Sequence, residues 1–183
     1  DREVVMDLIE LLTGNRVSTA MNTIGGVRRD LTPDKMARLR KGMSILEERT
    51  KYYRKIALDE PTVLARAKGV GVLKPIEAIK LSAVGPTLRA SGIKVDVRMD
   101  DPYAAHDEVP FNVITYDSCD VFGRIIVRID ETLESIGMVQ YCLDNMPSGP
   151  IRMRLTNTPP VGESVSRVEA PRGEDIHYVR SNG

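Results

Sequence analysis

Arg172 stands between Pro171 and Gly173 in the run SRVEAPRGEDIHYVRSNG, where both flanks read as strand. Proline cannot donate to a ladder and glycine weakens a strand, so the pair marks a bend or a tight turn. A guanidinium on such a bend is aimed in a fixed direction. It stays charged throughout the physiological range, and its planar fork makes several directed hydrogen bonds. The chemistry open to it is recognition or stabilisation of negative charge. The competing reading is an ordinary salt bridge to Glu169, Glu174 or Asp175.

A second group of chemistry-bearing residues lies in GPTLRASGIKVDVR. Arg89 and Arg98 are placed to pair with Asp96 or with backbone carbonyls at a packed junction, which makes the loop an ion-paired brace. The alternative is a loop that faces a cofactor or a partner. Other constellations are weaker. Ser91, His106 and Asp96 can be assembled into a triad on paper, but no nucleophile elbow accompanies them. His106 and His177 lack ligand spacing. Gly25-Gly26 and the GVGV run from Gly69 do not follow a buried strand into a helix, so tight turns explain them better than nucleotide binding. Cys119 and Cys142 are the only cysteines and form no CxxC pair. A metal site made within the chain is therefore not expected, and free thiols fit a reducing compartment.

These residues need elements to hold them. EVVMDLIELLTGNR has apolar residues at helical spacing and a stop at Gly14. VSTAMNTIGGVRRD suggests a short strand or hairpin. At LTPDKM, Thr32 suits an N-cap, Pro33 the first helical position and Asp34 the first turn. Met36, Leu39, Met43, Leu46 and Tyr53 then predict a helix to about Ile56, with a narrow stripe that should pack against one neighbour. EPTVLARAKG and KPIEAIKLSA predict short helices opened by proline. The stretch VGPTLRASGIKVDVRMDDPYAAH breaks every period and reads as a long functional loop. VPFNVIT (109–115) predicts a strand. A long helix follows, with Ser118 as N-cap, a continuous face of Phe122, Ile125, Ile129, Leu133, Ile136, Val139 and Leu143, and a stop at Met146-Pro147. At roughly 28 residues it would span about 40 Å. Two short strands surround the Arg172 bend.

The totals agree with a mainly α fold carrying small β additions. Of 183 residues, 42% are apolar and 4% aromatic, with eight Met and no Trp, which describes an aliphatic, Met-filled helical bundle. Twenty-six basic and 26 acidic residues balance, so the basic excess of a nucleic-acid binder is missing. No apolar run approaches the roughly 20 residues of a bilayer span. The chain starts inside a helix without an initiator Met, and the expectation is that 1–183 forms one central fragment of a longer protein.

Three ordered runs carry a resemblance: TGNRVSTAMNTIGGVRRDL, GPTLRASGIKVDVRMDDPYAAHDEVPFNV and RVEAPRGEDIHYVRSNG. Together with the long helix they resemble the large subunit of the NiFe hydrogenases and its relative, the quinone-site catalytic subunit of respiratory complex I. The resemblance covers the chain from end to end. In that family a bimetallic centre is held by CxxC pairs on either side of the matching region. The resemblance therefore implies a nickel–iron centre in the full-length protein, with ligands outside this fragment, and inactivity of the fragment alone. The family's glutamate-alanine-proline-arginine-glycine run falls on Glu169 to Gly173. Arg172 thus takes the place of the arginine above the open metal position, where it would stabilise charge as dihydrogen is split. On this resemblance Pro171 and Gly173 would fix where that side chain points, and Pro171, Glu169, His177, Arg89, Asp96 and Arg98 are the candidate binding residues around it.

His177 followed by Tyr178 resembles the hydrogenase pattern after that arginine. Ser18 stands where the quinone branch tends to carry histidine, and His106 where relatives often have tyrosine. These positions imply a membrane-bound, energy-converting hydrogenase. Its expected partners are an iron–sulfur small subunit and integral membrane ion-translocating subunits, and its expected place is peripheral, on the cytoplasmic face of the cell membrane. The alternative is the quinone-reducing subunit of a complex I-like NADH or deazaflavin dehydrogenase, with quinone or NAD in the complex. A third possibility is a non-catalytic assembly module that keeps the scaffold.

Overall fold

The computed structural model describes residues 1–155 and 159–183. Two long helices form its spine, α2 (Pro33–Asp59) and α7 (Val121–Asp144). They run antiparallel. The start of α2 meets the end of α7 through Leu39, Met43, Ile136 and Leu143, and the end of α2 meets the start of α7 through Ala57, Phe122 and Ile126. Arg54 donates to Asp130 at 2.6 Å across the same seam, and Arg40 pairs with Asp144. Helix α1 (Arg2–Thr13) lies on α2, where Leu8 enters the first cluster. Gly42 makes that approach possible, since a Cβ there would stand 2.3 Å from a methyl group of Leu8. Helix α2 therefore packs against two neighbours, not the one predicted, because a small residue opens a second contact face beside its apolar stripe.

The caps follow local chemistry. Thr32 Oγ1 accepts from Lys35 N, with Pro33 in the first turn. Pro61 opens α3 (Pro61–Ala67) and Pro75 opens α4 (Pro75–Lys80). Gly25 and Gly26 turn the two-residue strands β1 (Asn22–Thr23) and β2 (Gly26–Val27) into a hairpin.

Helix α7 has 24 residues, and its N-cap is Asp120 rather than Ser118. The Asp120 carboxylate accepts from Gly123 N and Gly69 N, each at 2.8 Å, and Ser118 supports it by donating its hydroxyl at 2.8 Å. A carboxylate gathers these donors better than a hydroxyl because it accepts on two oxygens. Burial opposes its charge, but those three donors outweigh burial and hold the Asp120 carboxyl below its usual range. Helix α7 is also covered on more than one face. Val127 and Met138 are buried beside the predicted stripe, whereas Val139 is 38% exposed.

The predicted strand at 109–115 is absent. The segment joins no ladder: Pro110 has no N–H to give, and Asn112 donates its backbone and side-chain nitrogens to Glu134 on α7, each at 3.2 Å. The aperiodic stretch before it folds into two single turns, α5 (Gly85–Arg89) and α6 (Val97–Asp100). The chain closes on an antiparallel hairpin of β3 (Gly162–Ala170) and β4 (Gly173–Ser181), whose register pairs Ala170 with Gly173.

Candidate functional site

The hairpin leaves Pro171 and Arg172 as a two-residue loop. Proline fixes φ at the first of these positions. Gly173, at φ +128°, enters the return strand in a conformation that side-chain-bearing residues rarely adopt. Its neighbour across the gap is another glycine. A Cβ on Gly173 would lie 2.6 Å from a Val84 methyl and 2.7 Å from Gly85 N, and one on Gly85 would lie 2.4 Å from Gly173 Cα. The tip is thus seated backbone to backbone on the start of α5. Both residues must lack side chains for that seat to exist.

Glu169 ties the tip down from the other side. Its side chain is 5% exposed, and its Oε1 stands 2.9 Å from Arg89 Nη2. Val97 N donates to Glu169 Oε2 at 3.3 Å, and Glu169 N donates to the Tyr103 hydroxyl at 3.2 Å. Further up the strand, Arg167 bridges Asp101 and Glu174. Arg89, the turn at 97–101 and Tyr103 therefore fix Glu169 and Arg167, three and five residues before Arg172.

Arg89 is the hub. Its side chain is 2% exposed and lies among opposite charges: Nε donates to Glu131 Oε1 at 2.5 Å, Nη1 donates to the Val95 carbonyl at 2.9 Å, and Asp96 Oδ2 lies 3.5 Å away. Asp96 in turn accepts a two-point contact from Arg98, at 2.9 and 2.7 Å, plus the Arg98 backbone N–H at 3.0 Å. Burial favours the neutral acid, but the Arg98 and Arg89 charges prevail and hold the Asp96 carboxyl below its usual range. Arg98 also lies over the Phe111 ring at 4.9 Å. His106 packs edge-on against Tyr103 at 4.6 Å, and burial, followed by the charge of Arg98, pushes its pKa down.

The structure therefore brings Glu169, Arg89, Asp96 and Arg98 together beneath the tip, in the ion-paired brace that the loop sequence suggests. Pro171 and Arg172 lie above it and are exposed. Among the described residues no carboxylate lies within salt-bridge distance of Arg172, so none of the three candidate partners holds it. His177 is not part of this group. It is exposed on β4 opposite Ser166, on the order of 13 Å along the strand from Gly173, with Nε2 3.3 Å from Asp175.

Sequence reasoning missed Glu131, Gly85 and Tyr103. Glu131 shares the turn-spaced row of Val127 and Met138, and that second buried row on α7 was the available signal. Among the described residues no group of three His, Cys, Asp or Glu side chains could hold a metal ion. Cys119 and Cys142 lie near opposite ends of α7. These residues do not form a nickel–iron ligand set.

The chain is thus an α-helical spine with an arginine-tipped hairpin seated on a buried ion cluster, and comparison with known proteins gives its family. Residues 1–159 match the family described as respiratory-chain NADH dehydrogenase, 49 Kd subunit, and the chain belongs to that family. It is 36% identical over 211 residues to the NADH-quinone oxidoreductase D 2 subunit of Rhizobium etli, covering 100% of this chain and 52% of the relative. It is also 36% identical over 187 residues to the carbon monoxide-induced hydrogenase of Rhodospirillum rubrum, covering 100% of the chain and 51% of the relative. Formate hydrogenlyase subunit 5 of Escherichia coli is 37% identical over 177 residues, which is 97% of the chain and 31% of that protein.

A chain of the membrane-bound sulfane sulfur reductase, an archaeal respiratory membrane complex, superposes with a TM-score of 0.91 at 34% identity, over 100% of this chain and 51% of that one. The chain thus spans about half the length of the first relatives it matches. Its relatives are subunits of oxidoreductases, hydrogenases among them. No helix among the described residues is long and apolar enough to cross a membrane.

Proposed function

We propose that this chain forms one wall of the catalytic subunit of a membrane-bound hydrogenase, with Arg172 as the residue it presents to the reacting site. The observation that carries the proposal is the mounting of Arg172: an exposed guanidinium, unpaired among the described residues, on a loop immobilised by the Gly85–Gly173 contact and by Glu169. A cation mounted on a fixed loop needs less reorganisation when negative charge develops opposite it. Pro171 and Gly173 set its direction, while Arg89, Asp96 and Arg98 hold the platform. In the complete protein a nickel–iron centre would supply the redox chemistry, held by ligands other than the residues described here.

On this reading the protein interconverts protons and dihydrogen and passes electrons through an iron–sulfur subunit. It acts at the cytoplasmic face of the membrane beside ion-translocating subunits, and 1–183 is one structural unit of it. Likeness to two hydrogenases and the His177-Tyr178 pair support this branch. The exposed Val165, Ile176 and Tyr178 share one face of the hairpin and offer an apolar surface to the remainder of such an assembly.

The second reading, a quinone-reducing subunit, is favoured by the family description and by the Rhizobium relative. There Arg172 would orient a quinone headgroup. Nickel analysis of the purified full-length protein separates the two: stoichiometric nickel supports the hydrogenase, and its absence overturns it. Arg172→Lys in the full-length complex tests the role. A loss of activity of about a hundredfold or more is expected, with assembly intact. Unchanged activity removes Arg172 from the site.

A further inference from the structure

The cluster beneath the tip does not balance its charges. Asp96, Glu131 and Glu169 contribute three carboxyl groups, and Arg89 and Arg98 contribute two guanidiniums. All of these side chains are less than one-fifth exposed, Arg98 the most open at 18%. A buried net negative charge is costly, and the usual remedy is a proton on one acid. The nearby groups do not supply the missing positive charge. His106 is held toward its neutral form. Asp100, whose carboxylate accepts from Asp96 N at 3.0 Å, is itself an acid and exposed. The Tyr103 hydroxyl only accepts from Glu169 N.

The three acids are not equivalent. Asp96 has the two-point contact from Arg98 and a backbone N–H, so it keeps its charge. Glu169 has Val97 N on one oxygen. Its other oxygen lies close to Arg89 but receives no well-directed hydrogen bond. Glu169 thus faces a donor with each oxygen, whereas Glu131 has Arg89 Nε on Oε1 alone. No donor among the described residues meets Glu131 Oε2, which leaves that oxygen room for a proton, and at 17% exposure the carboxyl is within reach of solvent, the proton's source.

We propose that Glu131 is a proton-binding site: the Arg89 cluster takes up one proton there from solvent, and this restores its neutrality. The carboxylate becomes a carboxylic acid, with no electron moved and no other bond changed. Burial, opposed by the Arg89 and Arg98 charges, pushes the Glu131 carboxyl above its ordinary value, in agreement. With Glu131 neutral, Arg89 is shared between Glu169 and Asp96 alone, and its hold on the hairpin tip tightens. Only that link to Arg172 rests on the proposed function; the proton binding does not.

Infrared spectroscopy of the full-length complex tests it. The wild-type protein is expected to show a carboxylic acid carbonyl stretch that moves in D2O, disappears on alkaline titration and is missing from Glu131→Gln. That variant imitates the protonated side chain, so its melting temperature should gain on the wild type as pH rises. A raised acid pKa makes the wild type lose stability in that direction. A wild-type-minus-variant spectrum without the band at every pH overturns the proposal. A band that survives Glu131→Gln and is lost in Glu169→Gln also overturns it, because the proton is then on the other acid. Should Glu131→Gln fail to assemble, Glu131→Asp must shift the band and its titration, and an unmoved band counts against the proposal in the same way. The band is independent of Arg172, so its absence would leave the proposed function standing.

Discussion

Arg89 and Arg172 are the same side chain in opposite settings. Arg89 is 2% exposed and has ionic or hydrogen-bonding partners on every arm of its fork; Arg172 is exposed and touches no carboxylate among the described residues. A buried guanidinium is tolerated only with its charge compensated and its donors used, so Arg89 is committed to the fold. An exposed one adds little to stability and stays available. The pair shows how the molecule separates two tasks: the ions below hold the hairpin, and the ion above is free to act on something else.

The largest change should come from breaking the lower ion. Arg89→Met leaves Glu131, Asp96 and Glu169 buried with one guanidinium among three acids, and about 3–5 kcal/mol of stability should be lost in denaturant titration. Next is the seat of the tip. Gly85→Ala or Gly173→Ala drives a methyl into backbone at 2.4 or 2.7 Å from a glycine with positive φ. A loss of about 1–3 kcal/mol is expected, with faster amide exchange confined to the hairpin tip and α5. Uniform exchange would mean that the tip is not seated there.

Asp120 offers a smaller test at the start of α7. Asp120→Ala removes the acceptor for Gly123 N and Gly69 N and should cost about 1–2 kcal/mol. Since the Asp120 carboxyl is held low in the fold, its stabilisation is full above the ordinary aspartate pKa and fades as pH falls through the folded value. The gap between wild type and variant should close in acid, and a gap independent of pH would contradict the charged cap. The smallest effect belongs to Arg172→Ala, within about 0.5 kcal/mol on stability. A large loss there would erase the contrast with Arg89.

Much of the spine was legible in the sequence. Thr32-Pro33, Pro61 and Pro75 mark helix starts that the structure keeps, and Pro171-Arg172-Gly173 marks the hairpin turn. The strand at 109–115 was not, because alternation predicts an extended chain and says nothing of whether a partner strand lies beside it. Glu131 was hidden for a similar reason. On α7 its row with Val127 and Met138 hints at a second covered face, but only α5 packed over it makes it a partner of Arg89.

Most caps, turns and helix periods are settled by neighbours within about four residues, so the sequence alone determined them; the α7 cap is the exception, because Gly69 N reaches Asp120 across 51 positions. Whether a charge is buried, which acid it meets and how firmly a loop is seated depend on segments that share no local signal. Glu169 reaches Val97 across 72 positions of chain, and Arg89 reaches Glu131 across 42. Those pairings follow from how helices and hairpin pack, and only the tertiary structure decided them.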